Sequence, residues 1–266
     1  VDDALMQISD VLRGEDHLSN TPRQRLLLEA LGLPPPRYGH VSLLIGPDGA
    51  PLSKRHGATS VRELREAGYS APAVCNHLFR LGHSTPDNAL LTLEQMAAAF
   101  RIEHLQRASA HFELAQLHHW QSGWVQSLSA GEARSWLAPL LPPALTTAQL
   151  DAFIAAVRPN VVLAADAREW GEVVFGEALA YEEPALQAAR EAGAQFFSAA
   201  AGAIGAQPDQ LAALRRATGR QGEQFYRPLR AALTGRLHGP QLAPLLAVMP
   251  AERARARLLR FAHAAP

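Results

Sequence analysis

The spacing of apolar positions divides the chain at a turn near residue 49. Before it, apolar residues fall in short blocks between turn formers. Val1 to Leu12 opens on an apolar segment with no preceding cap, which suggests the end of an element rather than its start and hence a truncated sequence. Thr21-Pro22-Arg23-Gln24 predicts a capping box with proline at the first helical position. Leu26, Leu27, Ala30 and Leu31 follow at helical spacing as far as Gly32. Pro34-Pro35-Pro36 cannot continue a helix, and Val41 to Ile45, closed by Gly46-Pro47-Asp48-Gly49, predicts a buried strand entering a turn. Beyond the turn the pattern is helical almost without interruption. Ser60-Val61-Arg62-Glu63, Thr92-Leu93-Glu94-Gln95 and Thr146-Thr147-Ala148-Gln149 each match a capping box. Strong helix formers dominate, and β-branched runs are nearly absent after residue 45, the valine pairs being Val161-Val162 and Val173-Val174. Gly68, Gly82, Gly131 and Gly235 sit where helices should stop, and Pro139 to Pro143 marks a boundary. No repeat of fixed period occurs, which favours an irregular helix bundle over a solenoid.

Composition narrows the classes. With 266 residues, 48% of them apolar, the chain can form one or two domains with real cores. No apolar run approaches the roughly 20 residues that cross a bilayer. Val1-Asp2-Asp3 also lacks the basic start of a leader, so no membrane association and a cytoplasmic location are expected. Cys75 is the single cysteine, which excludes an internal disulfide and a multi-cysteine zinc site. The histidines are scattered, and His118-His119 point to different sides of a helix, so no protein-bound zinc is expected.

Charge adds a gradient. The 25 basic residues balance 25 acidic ones, yet 24 of the basic residues are arginine and one, Lys54, is lysine. Residues 151–191 carry eight acids against three arginines, whereas 211–266 carry ten arginines against two glutamates. The basic segment suits a polyanion partner or, equally, a solvated helical surface.

The stretch Gly46-Pro-Asp-Gly-Ala-Pro-Leu-Ser-Lys-Arg-His-Gly57 is the richest in chemistry. It presents Ser53, Lys54 and Arg55 on a Gly/Pro-rich turn, an arrangement that suits a triphosphate. The glycine spacing is not that of a P-loop, and a solvated basic turn is the alternative. A lysine retained in so arginine-rich a chain fits a compact, mobile charge that follows a moving phosphate.

Leu52-Ser53-Lys54-Arg55 resembles the second signature of class I aminoacyl-tRNA synthetases in its bacterial glutamyl form. Further segments resemble the same family in the same order: Val11-Leu-Arg-Gly-Glu-Asp-His-Leu-Ser-Asn-Thr-Pro-Arg-Gln24, Gly57-Ala-Thr-Ser-Val61, Pro228-Leu-Arg-Ala-Ala-Leu-Thr-Gly235, His238-Gly-Pro240 and Leu242-Ala-Pro-Leu-Leu246. The resemblance implies a mainly α protein of three parts. Residues 1–58 would be the C-terminal remnant of a Rossmann-type catalytic domain with a short strand, 59–140 a helical connecting domain, and 141–266 an all-helical anticodon-binding domain.

The resemblance further implies glutamate–tRNA ligation. ATP with Mg²⁺ activates glutamate to glutamyl-adenylate, and the acyl group passes to the 3′ end of tRNA(Glu), with tRNA(Gln) a second candidate. Lys54 would stabilise the triphosphate, assisted by Ser53 and Arg55, with Asp16, His17, Leu43 and Leu44 also at the nucleotide. Arg13 would read the glutamate carboxylate, or else pair with Glu15 or Asp16; Leu43 and Leu44 are equally explained by strand burial. Arg158, Asn160, Arg220, Arg227, Arg230, Thr234 and Arg236 are the tRNA candidates, with Asn160 where the family can place an anticodon-reading arginine. Trp120, Trp124 and Trp136 could stack on bases, but helical spacing favours core positions. The first class I signature, His-x-Gly-His, is absent, and Tyr38-Gly39-His40-Val41 does not replace it. The chain as given is therefore expected to bind tRNA weakly without aminoacylating it, and a monomer is expected; the alternatives are a non-catalytic tRNA-binding module and a helical scaffold with no nucleic-acid role.

Overall fold

Two extended segments and the helix between them make the first element of the fold. The structure is a computed structural model that describes residues 1–46, 49–50, 52, 60–86, 88–205 and 209–263. It divides into two compact units, 1–124 and 125–266. In the first, a short helix α1 (Asp2–Leu5) leads to strand β1 (Asp10–Gly14), a 3₁₀ turn (Glu15–Asn20), helix α2 (Thr21–Ala30) and strand β2 (Arg37–Val41). β1 and β2 pair in parallel from Asp10 opposite Arg37 to Gly14 opposite Val41. The Arg37 guanidinium holds the Asp10 carboxyl below its ordinary range.

One expectation is corrected here. The apolar run Val41 to Ile45 is not one buried strand. It breaks at Ser42-Leu43 into the end of β2 and a two-residue strand β3 (Leu44–Ile45), all of it half-buried. The apolar positions of α2 do not face a core either. Leu28 is buried, but Leu26, Leu27 and Leu31 are 66%, 64% and 59% exposed.

The rest of the first unit is helical and better packed. Helices α3 (Val61–Glu66), α4 (Ala71–Arg80) and α5 (Leu93–Ala99) are followed by strand β4 (Ala110–His111), parallel to β3, and by α6 (Leu114–Ser127). Leu64, Ala73, Val74, Leu117 and Trp120 form its core, with the Arg80 guanidinium 3.9 Å from the Trp120 ring centroid. Asn76, fully buried, exchanges two hydrogen bonds with the Leu91 backbone, which fixes the 80s loop to α4.

The second unit contains α7 (Ala130–Leu137), α8 (Thr147–Val157), α9 (Ala164–Phe175), α10 (Glu183–Ala192), α11 (Ala194–Ala203), α12 (Gln210–Thr218), α13 (Glu223–Thr234), α14 (Leu242–Val248) and α15 (Ala251–Ala262). Phe153, Phe197, Phe225, Leu233 and Leu258 are among its fully buried side chains. The three capping boxes beyond the turn form as expected, and Ser129-Glu132 adds a fourth. Gly68, Gly82 and Gly235 adopt positive φ where helices stop, but Gly131 lies inside α7.

Arg257 joins the elements of this unit. Its guanidinium is buried and donates to the carbonyls of Val173 and Gly176 at the end of α9 and of Leu233 at the end of α13. Burial pushes its pKa down to about 10. Arg257→Met removes every donor and leaves those carbonyls buried and unpaired. A loss of about 3 kcal/mol or more in urea unfolding is expected, with wild-type stability the contrary result.

His83 couples the first unit to pH. It is buried between Phe79 and Phe100, its Nε2 accepts from the Arg101 N–H, and burial with the neighbouring His104 lowers its pKa. The unfolded chain, with histidine near 6.5, binds the proton first, so stability is full above that pH and falls as pH drops below it. His83→Phe should flatten this fall below about pH 6.5 in denaturation midpoints; an unchanged slope would exclude the assignment.

Candidate functional site

Arg13 lies on β1, and the turn into α2 brings its partners to it. Nη2 donates to Thr21 Oγ1 at 2.8 Å and to Gln24 Oε1 at 2.7 Å, and the guanidinium sits 5.1 Å from the Tyr38 ring centroid on β2. Thr21 Oγ1 is also 3.0 Å from His40 Nε2. Arg13 Nε is buried without a partner among the described residues. The arginine is thus oriented by neutral groups, and among the described residues no carboxylate, Glu15 and Asp16 included, forms an ion pair with it. A half-buried, pre-oriented guanidinium of this kind suits a carboxylate.

This cluster also corrects the expected capping box. α2 begins after Asn20 with no side-chain cap, because the 3₁₀ turn continues directly into it. Thr21 and Gln24 instead turn their side chains to Arg13.

Asp16 and His17 are exposed on the 3₁₀ turn, 3.6 Å apart, and Asn20 Nδ2 lies 3.2 Å from His17 Nδ1. Leu43 N donates to Glu15 Oε1 at 3.2 Å, so this backbone donor is held by the same turn. Leu52 N donates to Leu44 O at 2.8 Å, which roots the start of the basic loop on β3. Ser53, Lys54 and Arg55 themselves lie outside the described residues.

The tRNA candidates fall in separate places. Arg220 and Arg227 line one cavity of about 270 Å³ with Glu191, Glu223 and Gln224. Arg220 also donates to Ala192 O and lies over Phe196, and Arg227 is 3.9 Å from Glu223. Arg236 pairs with Glu169 at 3.0 Å and lies over Trp170. Arg230 donates to Pro240 O, and its burial lowers its pKa. Arg158 donates to Leu128 O, while Asn160 is exposed at the end of the turn after α8. Thr234 is fully buried, its hydroxyl hydrogen-bonded to Arg230 O and the Arg236 N–H, so it shapes the end of α13 rather than offering an oxygen outward. Trp120 and Trp170 are core residues.

Residues 1–119 match the family of class I tRNA synthetases (E and Q), catalytic domain, and residues 129–262 match the anticodon binding domain family. The chain carries a class I (E and Q) catalytic-domain segment followed by an anticodon binding domain, and over its second half it belongs to the latter family. Glutamate–tRNA ligase 2 of Nitrosococcus oceani is 51% identical to it over 97% of this chain and 56% of that protein. Glutamate–tRNA ligase 2 of Acidithiobacillus ferrooxidans is 48% identical over 97% and 54%. The chain therefore spans little more than half the length of these curated relatives. The fold is that of the glutamate–tRNA synthetase crystal structure from Elizabethkingia anophelis, with a TM-score of 0.79 at 23% identity, covering 99% of this chain and 58% of that one.

Two glycines of the synthetase-like segments carry packing that sequence reasoning did not assign. A Cβ on Gly235, at φ +70°, would collide with Ala180 O, and one on Gly239, at φ +136°, with the Trp170 ring. Close approach of the neighbouring atoms requires glycine at both positions, a signal that only their placement beside helix ends could have offered. Gly239→Ala should displace Trp170, alter tryptophan fluorescence and lower stability by about 2 kcal/mol or more. Wild-type emission with wild-type stability is the outcome against it.

Proposed function

We propose that the chain is a C-terminal part of a glutamate–tRNA ligase, one that binds tRNA(Glu) through its helical unit and supplies one wall of the aminoacylation site. The observation that carries this reading is the Arg13 cluster, a guanidinium fixed by Thr21 and Gln24 over Tyr38 with a free Nε. Arg13 reads the side-chain carboxylate of glutamate. Asp16, His17 and the Leu43-Leu44 backbone border the nucleotide, and Ser53, Lys54 and Arg55 reach its phosphates. Mg²⁺ would be held with the nucleotide, where it neutralises phosphate charge. Glutamate attack on the α-phosphate and acyl transfer to ribose need positioning and charge stabilisation rather than a covalent nucleophile.

Within this reading residues 1–58, 59–140 and 141–266 are the catalytic remnant, the connecting domain and the anticodon-binding domain. Arg158, Asn160, Arg220, Arg227, Arg230 and Arg236 serve tRNA directly or by shaping its surface. tRNA(Gln) is a second substrate, because Asn160 stands where an arginine could read the anticodon. The protein acts as a cytoplasmic monomer; no helix among the described residues is long and apolar enough to cross a membrane. The exposed leucines of α2 favour a second reading for the chain by itself, a tRNA-binding module without activity, since its catalytic part lacks a covered core.

The test uses two proteins, the 266-residue chain and a fusion of it to the remaining catalytic segment of the Nitrosococcus relative. The chain alone should bind tRNA with a steep salt dependence and form no glutamyl-tRNA. In the active fusion, Lys54→Ala should slow pyrophosphate exchange about a hundredfold with tRNA affinity unchanged, and Arg13→Lys should raise KM for glutamate. Glutamylation by the chain alone, or exchange indifferent to Lys54, defeats the reading.

A further inference from the structure

Helix α15 carries Arg253, Arg257 and Arg260 at i, i+4 and i+7, one face of the helix. The segment after α9 lies along that face, and the two border an open cavity of about 320 Å³ lined by the three arginines, Tyr181 and Glu177. The positions of the guanidinium groups are set from inside the unit. Arg257, only 6% exposed, is held by the carbonyls of Val173, Leu233 and Gly176. Arg253 donates to Phe175 O, and Arg260 lies 4.6 Å from the Tyr181 ring centroid. Tyr181 is itself fixed by donating to Ala232 O.

The charge of this cluster is unbalanced. None of the three arginines forms an ion pair among the described residues, whereas Arg134, Arg190, Arg227 and Arg236 of the same unit each have a carboxylate within 4 Å. Glu177 is the single acid lining the cavity, so three positive groups face one negative one. Carbonyl dipoles satisfy hydrogen-bond donors but do not cancel a full charge, and like charges at i, i+4 repel. A fold that holds three cations together around an open, solvent-connected cavity has a place for an anion of charge near −2. The size and the forked donors suit tetrahedral oxygens.

We propose that the cavity between α15 and the 177–181 segment is a phosphate-binding site, distinct from the Arg220–Arg227 cavity, that takes a phosphate group either as a free ion or from an RNA backbone. Arg260 closes the site from its exposed side, Arg257 forms the floor and Arg253 the far wall.

Titration calorimetry of the full chain with inorganic phosphate, at constant ionic strength, tests it. Saturable binding of one phosphate per chain is expected, weakened about tenfold or more in Arg260→Gln and unchanged in the control Arg190→Gln. Arg260 is exposed, so the variant should fold, and its unfolding midpoint without phosphate should stay near the wild-type value. tRNA binding by the same variants distinguishes the sources. An unchanged tRNA affinity assigns the site to the free ion; a lower affinity with a salt slope reduced by about one assigns it to the RNA backbone. Absence of saturable phosphate binding, or equal binding in Arg260→Gln, overturns the proposal.

Discussion

Every α-helix ends with carbonyls that have no partner inside the helix, and in the second unit arginine side chains meet them. Arg257 and Arg253 reach the end of α9, Arg257 also the end of α13, Arg255 the end of α11, and Arg220 the end of α10. Three of these side chains leave a single helix, α15, and so tie three other helices to it. A guanidinium can donate in several directions within one plane, while an ammonium concentrates its charge on one atom. The excess of arginine over lysine follows from that geometry as much as from any partner. It also explains why α15, exposed on one side, has a buried cation in its middle.

The same constraint changes the meaning of the basic terminal segment. Counted along the chain, ten arginines against two glutamates describe a strongly positive surface. In the fold, Arg230, Arg253, Arg255 and Arg257 are turned toward backbone carbonyls, and Arg236 is paired with Glu169 from the acidic stretch. Charge remains available for a polyanion where carboxylates are few, and two cavities meet that condition differently. The one at Arg220 and Arg227 contains two acids, Glu191 and Glu223, whereas the one under Arg260 contains one acid against three arginines.

What the sequence discloses depends on whether an element is fixed locally. Ser60-Glu63, Thr92-Gln95 and Thr146-Gln149 predict their helices because a capping box needs only four residues and no tertiary partner. Thr21-Gln24 carries the same pattern and fails for a tertiary reason: Arg13, eight residues earlier, takes both side chains. The pattern located the helix and concealed the site. Gly131 reads as a helix stop, but Ser129 and Glu132 cap a helix across it. Thr234 stands in a segment that resembles a tRNA-binding one, and burial alone shows that its hydroxyl points inward. The motif order was sufficient for the family; the direction of each side chain was not readable from it. Ser53, Lys54 and Arg55, the residues with the most specific chemistry in the sequence, lie outside the described residues, so their part rests on the motif.

The β1–α2–β2 segment poses a different physical problem from the helical unit. Parallel strands are normally covered on both faces, because the crossover helix protects only one and each strand has an apolar side to bury. Here the sheet has two strands, Leu12 is 52% exposed on β1, and Leu26, Leu27 and Leu31 are open on α2. At about 25 cal/mol per Å² of apolar surface, leaving several leucines in water forgoes several kcal/mol that a neighbouring layer would supply. The Arg13 cluster is built on this segment and is nevertheless closely fixed by Thr21, Gln24 and Tyr38. A bound glutamate on that guanidinium would have protein on one side and water on the other. Desolvation strengthens a carboxylate–guanidinium contact, so the site as described can orient a substrate but is poorly placed to exclude water from it. The proposed reading as one wall of a ligase site accords with this asymmetry: the guanidinium is organised, and nothing among the described residues encloses it.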